Sequence, residues 1–275
     1  MNPEAQNNQY LINGKPSAGL SMFDRGLAYG DGVFRTFLFK NGVPHHWELQ
    51  YQKLSQDCQA LGIACPSEEE LLSDIKALFN GGADAVAKII VTRGESSRGY
   101  AVPDGIQANR VVTKSALPTY PLSNQTQGVK LHLCELKLGL QVKLAGVKHL
   151  NRLENVLARM EWNDTKIADG LLMDSNDNVI ECTMSNIFAR FGNEFITPSL
   201  DQCGVAGIAR ARIIENAKDF DLDVKIEVLK LNKLMQADEM IICNSLFGVW
   251  QVVDFNGKQW SKQSLDSQLR EMLLN

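Results

Sequence analysis

At 275 residues, with 44% hydrophobic and 22% charged residues, the chain has a globular composition and the length of two domains. A formal net charge of −4 argues against nucleic acid or an anionic membrane surface as partner, so any basic cluster is read locally, as a site for a small anion. The polar opening MNPEAQNNQY lacks a leader pattern, no apolar run is long enough to span a bilayer, and six scattered cysteines without a C-x-x-C pair read as free thiols, which together point to the cytoplasm.

In chain order, YLI-NG-KPS around Asn13 and FLFK-NG-VPHH around Asn41 are hairpin signals, each a turn dipeptide between short apolar runs. Trp47, Tyr51, Leu54, Cys58 and Leu61 then recur at spacings of four and three, one face of a helix. Ser67 and Glu70 ahead of LLSDIKALF form a capping box, with Gly81-Gly82 as the stop. VAKIIVTR (86–93) and NRVVTKSAL (109–117) read as strands. The proline-bearing, aperiodic stretch ALPTYPLSNQTQG marks the domain joint. It divides the chain into an N-terminal domain over 1–118, a linker over 119–127 and a C-terminal domain over 128–275.

Past the joint, VKLHL (129–133) is a strand, and Leu150, Leu153, Val156, Leu157 and Met160 mark a helical face. LLMDSNDNVIECT is a looser hairpin, NIFARF-GN-EFITP around Gly192 a clear one, and a helix starts near Gly207. EMIICN (239–244) is a strand, and SLDSQLREMLL closes the chain as a short helix. Strands and helices mix in both halves, so the fold class is α/β or mixed α+β.

Several common signatures fail. Gly30-Asp31-Gly32 has Arg35 where a dinucleotide fingerprint needs its third glycine, and there is no Walker A, H-E-x-x-H or G-x-S-x-G sequence. Four histidines offer little material for a metal site, and none is assigned. Lys148, in LAGVKHLNRLENVLAR, is approached by Leu144, Ala145, Gly146 and Val147. An apolar wall and nearby cations disfavour the ammonium form and make a lysine nucleophilic at neutral pH. A helix beginning at Lys148 would put Asn151 and Arg152 on the same side. Alone, such a lysine is far more often a solvated charge, and it needs partners before it can be given a role.

Partners of the right chemical type follow. A lysine that carries pyridoxal phosphate needs an acid at the pyridine nitrogen and a phosphate cradle. Glu181, in ECTMSNIFARF, supplies the acid, and Gly204–Ala209 opens a helix whose N–H groups and dipole suit a phosphate dianion. Glu181 as a turn cap and Gly207 as a plain helix start remain the bland alternatives.

K-H-L-N-R-L-E-N-V-L-A (148–158), E-C-T-M-S-N-I-F (181–188) and G-V-A-G-I-A-R (204–210) follow D-R-G-L-A-Y-G-D-G-V-F (24–34) and V-T-R-G-E-S-S-R-G-Y (91–100). In this order and spacing, and over nearly the whole chain, the sequence resembles the branched-chain-aminotransferase-like (fold type IV) pyridoxal phosphate enzymes. The resemblance implies a smaller N-terminal α/β domain, a larger C-terminal cofactor-binding domain, pyridoxal 5'-phosphate as cofactor and a homodimer. It implies that Lys148 holds the cofactor as a Schiff base and acts as the catalytic residue, and that Glu181 pairs with the pyridine nitrogen. Ser185 and Asn186 would lie near the phenolic oxygen. Gly207, Ile208 and Ala209 would bind phosphate, with Ser245 of C-N-S-L-F-G. The family also commonly supplies an arginine in an H-x-x-R-L pattern. Here that segment is Gln50-Tyr51-Gln52-Lys53-Leu54, and Lys53 offers a point charge in place of a bidentate fork.

Substrate-side residues separate the activities of that family. Its D-amino acid aminotransferases show R-x-H where this chain has Arg98-Gly99-Tyr100, and its branched-chain enzymes differ from this chain at Arg35-Thr36 and at Asn151-Arg152. K-H-L-N-R-L and R-G-Y look most like the family's folate-pathway lyases, which convert 4-amino-4-deoxychorismate to 4-aminobenzoate and pyruvate. On that resemblance Arg98, Asn151, Arg152 and Arg35 are the substrate-side residues, with an ion pair or a solvated face as the alternative for Arg35 and Arg152. The competing readings are a D-amino acid or branched-chain aminotransferase, and a non-catalytic α/β binding protein.

Overall fold

Residues 9–16 and 19–274 are described by the computed structural model. They form two units, one containing the residues up to Thr119 with Val147–Asn151, the other Tyr120–Gly146 with Arg152 onward. The polar stretch before Gln9, and Ser17 of the first hairpin signal, lie outside the described residues.

The first unit contains β1 (Gln9–Ile12), α1 (Arg25–Tyr29), β2 (Gly32–Lys40), β3 (Val43–Pro44), α2 (Trp47–Leu61), α3 (Glu68–Leu78), β4 (Ala85–Thr92) and β5 (Asn109–Ser115). Its sheet is antiparallel throughout, in the order β1-β5-β4-β2-β3. Asn41 and Gly42 both take positive φ, 54° and 82°, which the two-residue turn between β2 and β3 requires. Asn13 and Gly14 turn the same way, but β1 pairs with β5, and only an isolated Ile12–Lys15 bridge closes that turn. The Ser67–Glu70 capping box starts α3 as its spacing predicts. Along β2 the side chains alternate: Val33, Arg35, Phe37 and Phe39 are buried, while Phe34, Thr36 and Leu38 are less so. Val33, Phe37 and Phe39 share a core with Leu54 and Cys58 of α2 and Leu71 and Ile75 of α3.

Val147–Asn151 corrects an expectation. Lys148 does not begin a helix; its segment lies extended along β2. Phe34 N–H donates to the Lys148 carbonyl at 2.9 Å, and Leu150 N–H donates to the Gly32 carbonyl at 2.9 Å. β3 pairs only with Phe39 and Lys40, so the edge of β2 at Gly32–Phe34 is open for this added strand.

The second unit contains α4 (Ser123–Thr126), β6 (Val129–Leu138), α5 (Leu153–Arg159), β7 (Ile167–Asp174), β8 (Asn178–Cys182), β9 (Asn186–Phe191) and β10 (Glu194–Pro198). It continues with α6 (Ile208–Asn216), β11 (Asp223–Glu227), β12 (Leu229–Lys230), α7 (Leu231–Leu234), β13 (Glu239–Asn244), β14 (Gly248–Phe255), β15 (Lys258–Gln259) and α8 (Leu265–Leu274). One mixed sheet runs β11-β10-β9-β13-β14-β6-β7-β8-β12, with β15 paired to β14. Phe188, Phe195, Ile241 and Val249 pack with Ala209 and Ile213 of α6 and Leu269 and Leu273 of α8. Trp250, Ile242, Met240 and Phe255 belong to a second core. The stretch expected as a linker carries α4, and Tyr120 packs edge-on against Trp250 with ring centroids 4.9 Å apart. Arg152 is the N-cap residue of α5, whose Leu153, Val156 and Leu157 are exposed, as is Met160 just beyond it. No helix among the described residues is long and apolar enough to cross a membrane.

Candidate active site

In the second unit, three sequence motifs close on one peptide. Glu181, in β8, is buried, and its Oε2 accepts the Val205 N–H at 2.8 Å. Asn186, which opens β9, donates from Nδ2 to the Val205 carbonyl at 2.8 Å and accepts the Gly207 N–H on Oδ1 at 3.2 Å. Val205 is thus gripped on both sides by the proposed acid and its neighbour. Gly204 makes the approach possible with φ +84°, a conformation costly for any residue with a Cβ.

Gly207 caps α6 without a side chain, and the first N–H groups of a helix have no partner four residues back. A Cβ on Gly207 would lie 2.4 Å from Asn186 Oδ1, so glycine is needed here for space rather than for φ. Ile208 and Ala209 are the first two residues of this helix, followed by buried Arg210. Arg210 donates to Thr197 Oγ1 and the Pro198 carbonyl, both at 3.0 Å, and burial pulls its pKa below the ordinary guanidinium value. Ser185 donates its hydroxyl to Asp169 Oδ2 at 2.7 Å. Asp169 is fully buried, and burial pushes its carboxyl up despite donors from Thr183, Ser185 and the Gly170 and Met184 amides. Ser245 sits in the turn after β13, which Asn244 Oδ1 organises by accepting the Leu246 and Phe247 N–H groups at 2.9 and 3.0 Å.

In the first unit, Lys148 Nζ stands 4.6 Å from the centroid of the Phe34 ring. Lys88 Nζ is 5.0 Å from the same ring, and burial pulls its ammonium pKa down. Arg35 and Lys53 both form ion pairs with Asp57, a buried carboxylate on α2. Burial pulls the pKa of Arg35 and of Lys53 below the ordinary value, against the raising effect of Asp57. Arg35 makes an ion pair rather than lying on a solvated face, and Lys53 is engaged in the same way. Asn151 donates from Nδ2 to the Gly30 carbonyl at 3.1 Å, and Arg152 falls in the other unit.

Arg98 is exposed on a loop that a second arginine holds. Arg25 is buried and donates to Ser96 Oγ and the carbonyls of Gly99, Tyr100 and Ala101, at 3.0 to 3.3 Å. Its Nε reaches Asp31 Oδ2 at 2.8 Å, and Arg93 binds the same carboxylate through two nitrogens. Sequence reasoning missed Arg25, Asp31, Asp57, Lys88, Asp169 and Arg210. Only Asp57 had a local signal, its spacing of four from Lys53 on one helix.

The donor set fits pyridoxal phosphate. A buried carboxylate is bonded to a glycine-led loop, that loop opens a helix with no capping side chain, and a buried arginine follows within its first turn. In the first unit, taken by itself, the Lys148 amine stands against the Phe34 ring, with the Lys88 ammonium over the same ring. Among the described residues no group of three or more His, Cys, Asp or Glu is arranged to hold a metal ion.

Residues 32–255 match the amino-transferase class IV family. The chain is 35% identical to an aminodeoxychorismate lyase of Vibrio harveyi over 87% of this chain and 89% of that protein. It is 29% identical to a putative branched-chain-amino-acid aminotransferase of Methanocaldococcus jannaschii, over 90% of this chain and 88% of that one. The crystal structure of 4-amino-4-deoxychorismate lyase from Pseudomonas aeruginosa superposes with a TM-score of 0.91 at 40% identity, covering 96% of this chain and 97% of that one.

Proposed function

The chain belongs to the amino-transferase class IV family, and we propose that within it this enzyme is a pyridoxal phosphate-dependent lyase that converts 4-amino-4-deoxychorismate to 4-aminobenzoate and pyruvate. The observation that carries the reading is the pair of ammonium groups on one ring. Lys148 and Lys88 both stand over Phe34, and among the described residues no carboxylate forms an ion pair with Lys88. A reacting amine beside a second cation suits a substrate with two carboxylates.

Pyridoxal phosphate, when bound, supplies the electron sink that makes the substrate's amine-bearing carbon acidic. Lys148 would anchor it, and the Lys148 amine is the base that would take the proton from that carbon. Loss of this proton and of the enolpyruvyl oxygen makes the substrate ring aromatic, and the departing enol is protonated to pyruvate. Glu181 would pair with the pyridine nitrogen of the cofactor and keep it protonated, which would preserve the sink. The N–H groups at the start of α6, with Gly207, Ile208, Ala209 and Ser245, hold the phosphate. Ser185 and Asn186 would serve the edge of the cofactor near its phenolic oxygen. Lys88, Arg98 and Arg152 bind substrate carboxylates, while Arg35 and Lys53 act through Asp57 and Asn151 through Gly30.

A second copy of the chain completes the proposed assembly. Leu153 and Met160 are 67% and 70% exposed, and with Val156 and Leu157 they form an apolar stripe that an isolated chain leaves in water. A like copy is the occupant we assign, as the family resemblance implies. Six free thiols suit a reducing compartment, the cytoplasm.

The decisive experiment is incubation of the purified enzyme with enzymatically generated 4-amino-4-deoxychorismate. Release of 4-aminobenzoate and pyruvate in equal amounts is expected. No product, together with rapid transamination of D-alanine or leucine, overturns the lyase reading.

A further inference from the structure

Three elements of the first unit meet at the Asp57 carboxylate. α2 brings Asp57 and, one turn earlier, Lys53; β2 brings Arg35 on its buried side; the added strand brings the backbone of Lys148. The ladder with β2 uses the Lys148 carbonyl and the Leu150 N–H, and the Lys148 N–H goes to Asp57 Oδ2 at 3.3 Å. Asp57 is 1% exposed, so water does not compete for these bonds. One buried carboxylate therefore serves two cations and one amide, 91 residues apart in sequence from that amide.

We propose that Asp57 is a positioning residue for Lys148. It fixes the backbone from which the amine projects, and as shared counter-charge of Arg35 and Lys53 it sets the positive potential that the Lys148 ammonium meets. The inference rests on the proposed role of Lys148 as the reacting amine and deepens it. The charged and titratable groups facing Asp57 are Arg35 from β2 and Lys53 and Cys58 from α2; Lys148 meets it through its backbone N–H, while its amine stands over the Phe34 ring that Lys88 of β4 shares. With the carboxylate present the two cations are partly neutralised. Without it, the unneutralised charge of both acts on the amine of Lys148, whose own backbone N–H lies 3.3 Å from the Asp57 carboxylate.

The test is the pH dependence of Lys148 labelling by an amine-acylating reagent in the cofactor-free full-length chain, read by peptide mass spectrometry. Lys218, exposed in the other unit, is the internal control. Asp57→Asn keeps the shape and an acceptor oxygen but removes the charge. The Lys148 profile should move down by about one pH unit, roughly tenfold more labelling at neutral pH, while Lys218 is unmoved. Lys53→Met, which removes one cation and leaves the Arg35 pair, should move the profile up. This second variant keeps the test open where Asp57→Asn does not fold. Profiles that superimpose on wild type in the folded variants overturn the inference. Borohydride fixation of the cofactor followed by peptide mapping separates the two levels. Wild-type cofactor fixed anywhere but Lys148 sinks the functional reading, whereas fixation at Lys148 with unmoved labelling profiles sinks only the role of Asp57.

Discussion

Glu181 and Val205 are joined by one hydrogen bond, 2.8 Å from the Val205 N–H to Glu181 Oε2, and this bond ties the proposed acid to the loop that opens α6. Glu181→Gln keeps an oxygen that accepts the same N–H but loses the charge. The variant should melt close to wild type while turnover falls about a hundredfold or more, the scale of lost proton-transfer control. Thermal melts and steady-state rates check both halves; wild-type turnover would contradict the role of Glu181.

Gly207→Ala tests the cradle. Alanine tolerates the φ of −75° at this cap, so the effect comes from crowding against Asn186 Oδ1. Asn186 cannot simply turn away, because Val205 and Gly207 both hold it. Displacing it should cost about 1–3 kcal/mol and weaken cofactor binding about tenfold or more, measured by absorbance titration.

Arg25→Gln should loosen the loop that carries Arg98 and Tyr100. The wild-type guanidinium holds three successive carbonyls and Ser96 Oγ, which a shorter neutral amide cannot replace. Tryptic cleavage after exposed Arg98 should accelerate about tenfold, with a raised KM for the dicarboxylate substrate. Unchanged cleavage kinetics would show that the loop holds its shape without Arg25.

Asp31 gives a pH dependence of known sign. Burial alone would raise its carboxyl, but the hydrogen bonds and charges of Arg93 and Arg25 outweigh it and hold the pKa below the ordinary value. The folded chain therefore binds this proton more weakly than the unfolded one. The stabilisation is complete above the ordinary carboxylate range and is lost as pH falls from about 4 toward the lower folded value. Asp31→Asn should destabilise by about 1–3 kcal/mol at neutral pH, and its gap from wild type should close on acidification below about pH 4. Denaturant unfolding across that range measures it; a constant gap contradicts the assignment.

Leu153→Asp with Met160→Asp places charge on the exposed stripe of α5. The double variant should sediment as a single chain where wild type sediments as a pair, with its circular dichroism retained. A variant that stays paired excludes this face from the interface.

Local physics made part of this protein legible. Turn chemistry at Asn41-Gly42, the capping box at Ser67 and Glu70, and helical spacing from Trp47 to Leu61 each depend on neighbours in sequence, and the structure has all three. Glu181 and Gly207 were legible by chemical type and order and Asn186 through the family resemblance, and the structure joins the three around Val205. The setting of Lys148 was not. An amphipathic run placed it at a helix start, but the open edge of β2 offered backbone hydrogen bonds that helical periodicity cannot register, and α5 begins only at Leu153. Arg25 was silent as the support of the Arg98 loop, because the carbonyls it holds lie 74 to 76 residues away, and Asp57 showed only its spacing of four from Lys53, not the Lys148 amide 91 residues away. Sequence by itself determined the turns, the caps and the chemical types available to the site. Which charges are buried against one another was decided by strand pairing and side-chain alternation, since a carboxylate or an arginine carries no local mark of the partner that burial will require it to find.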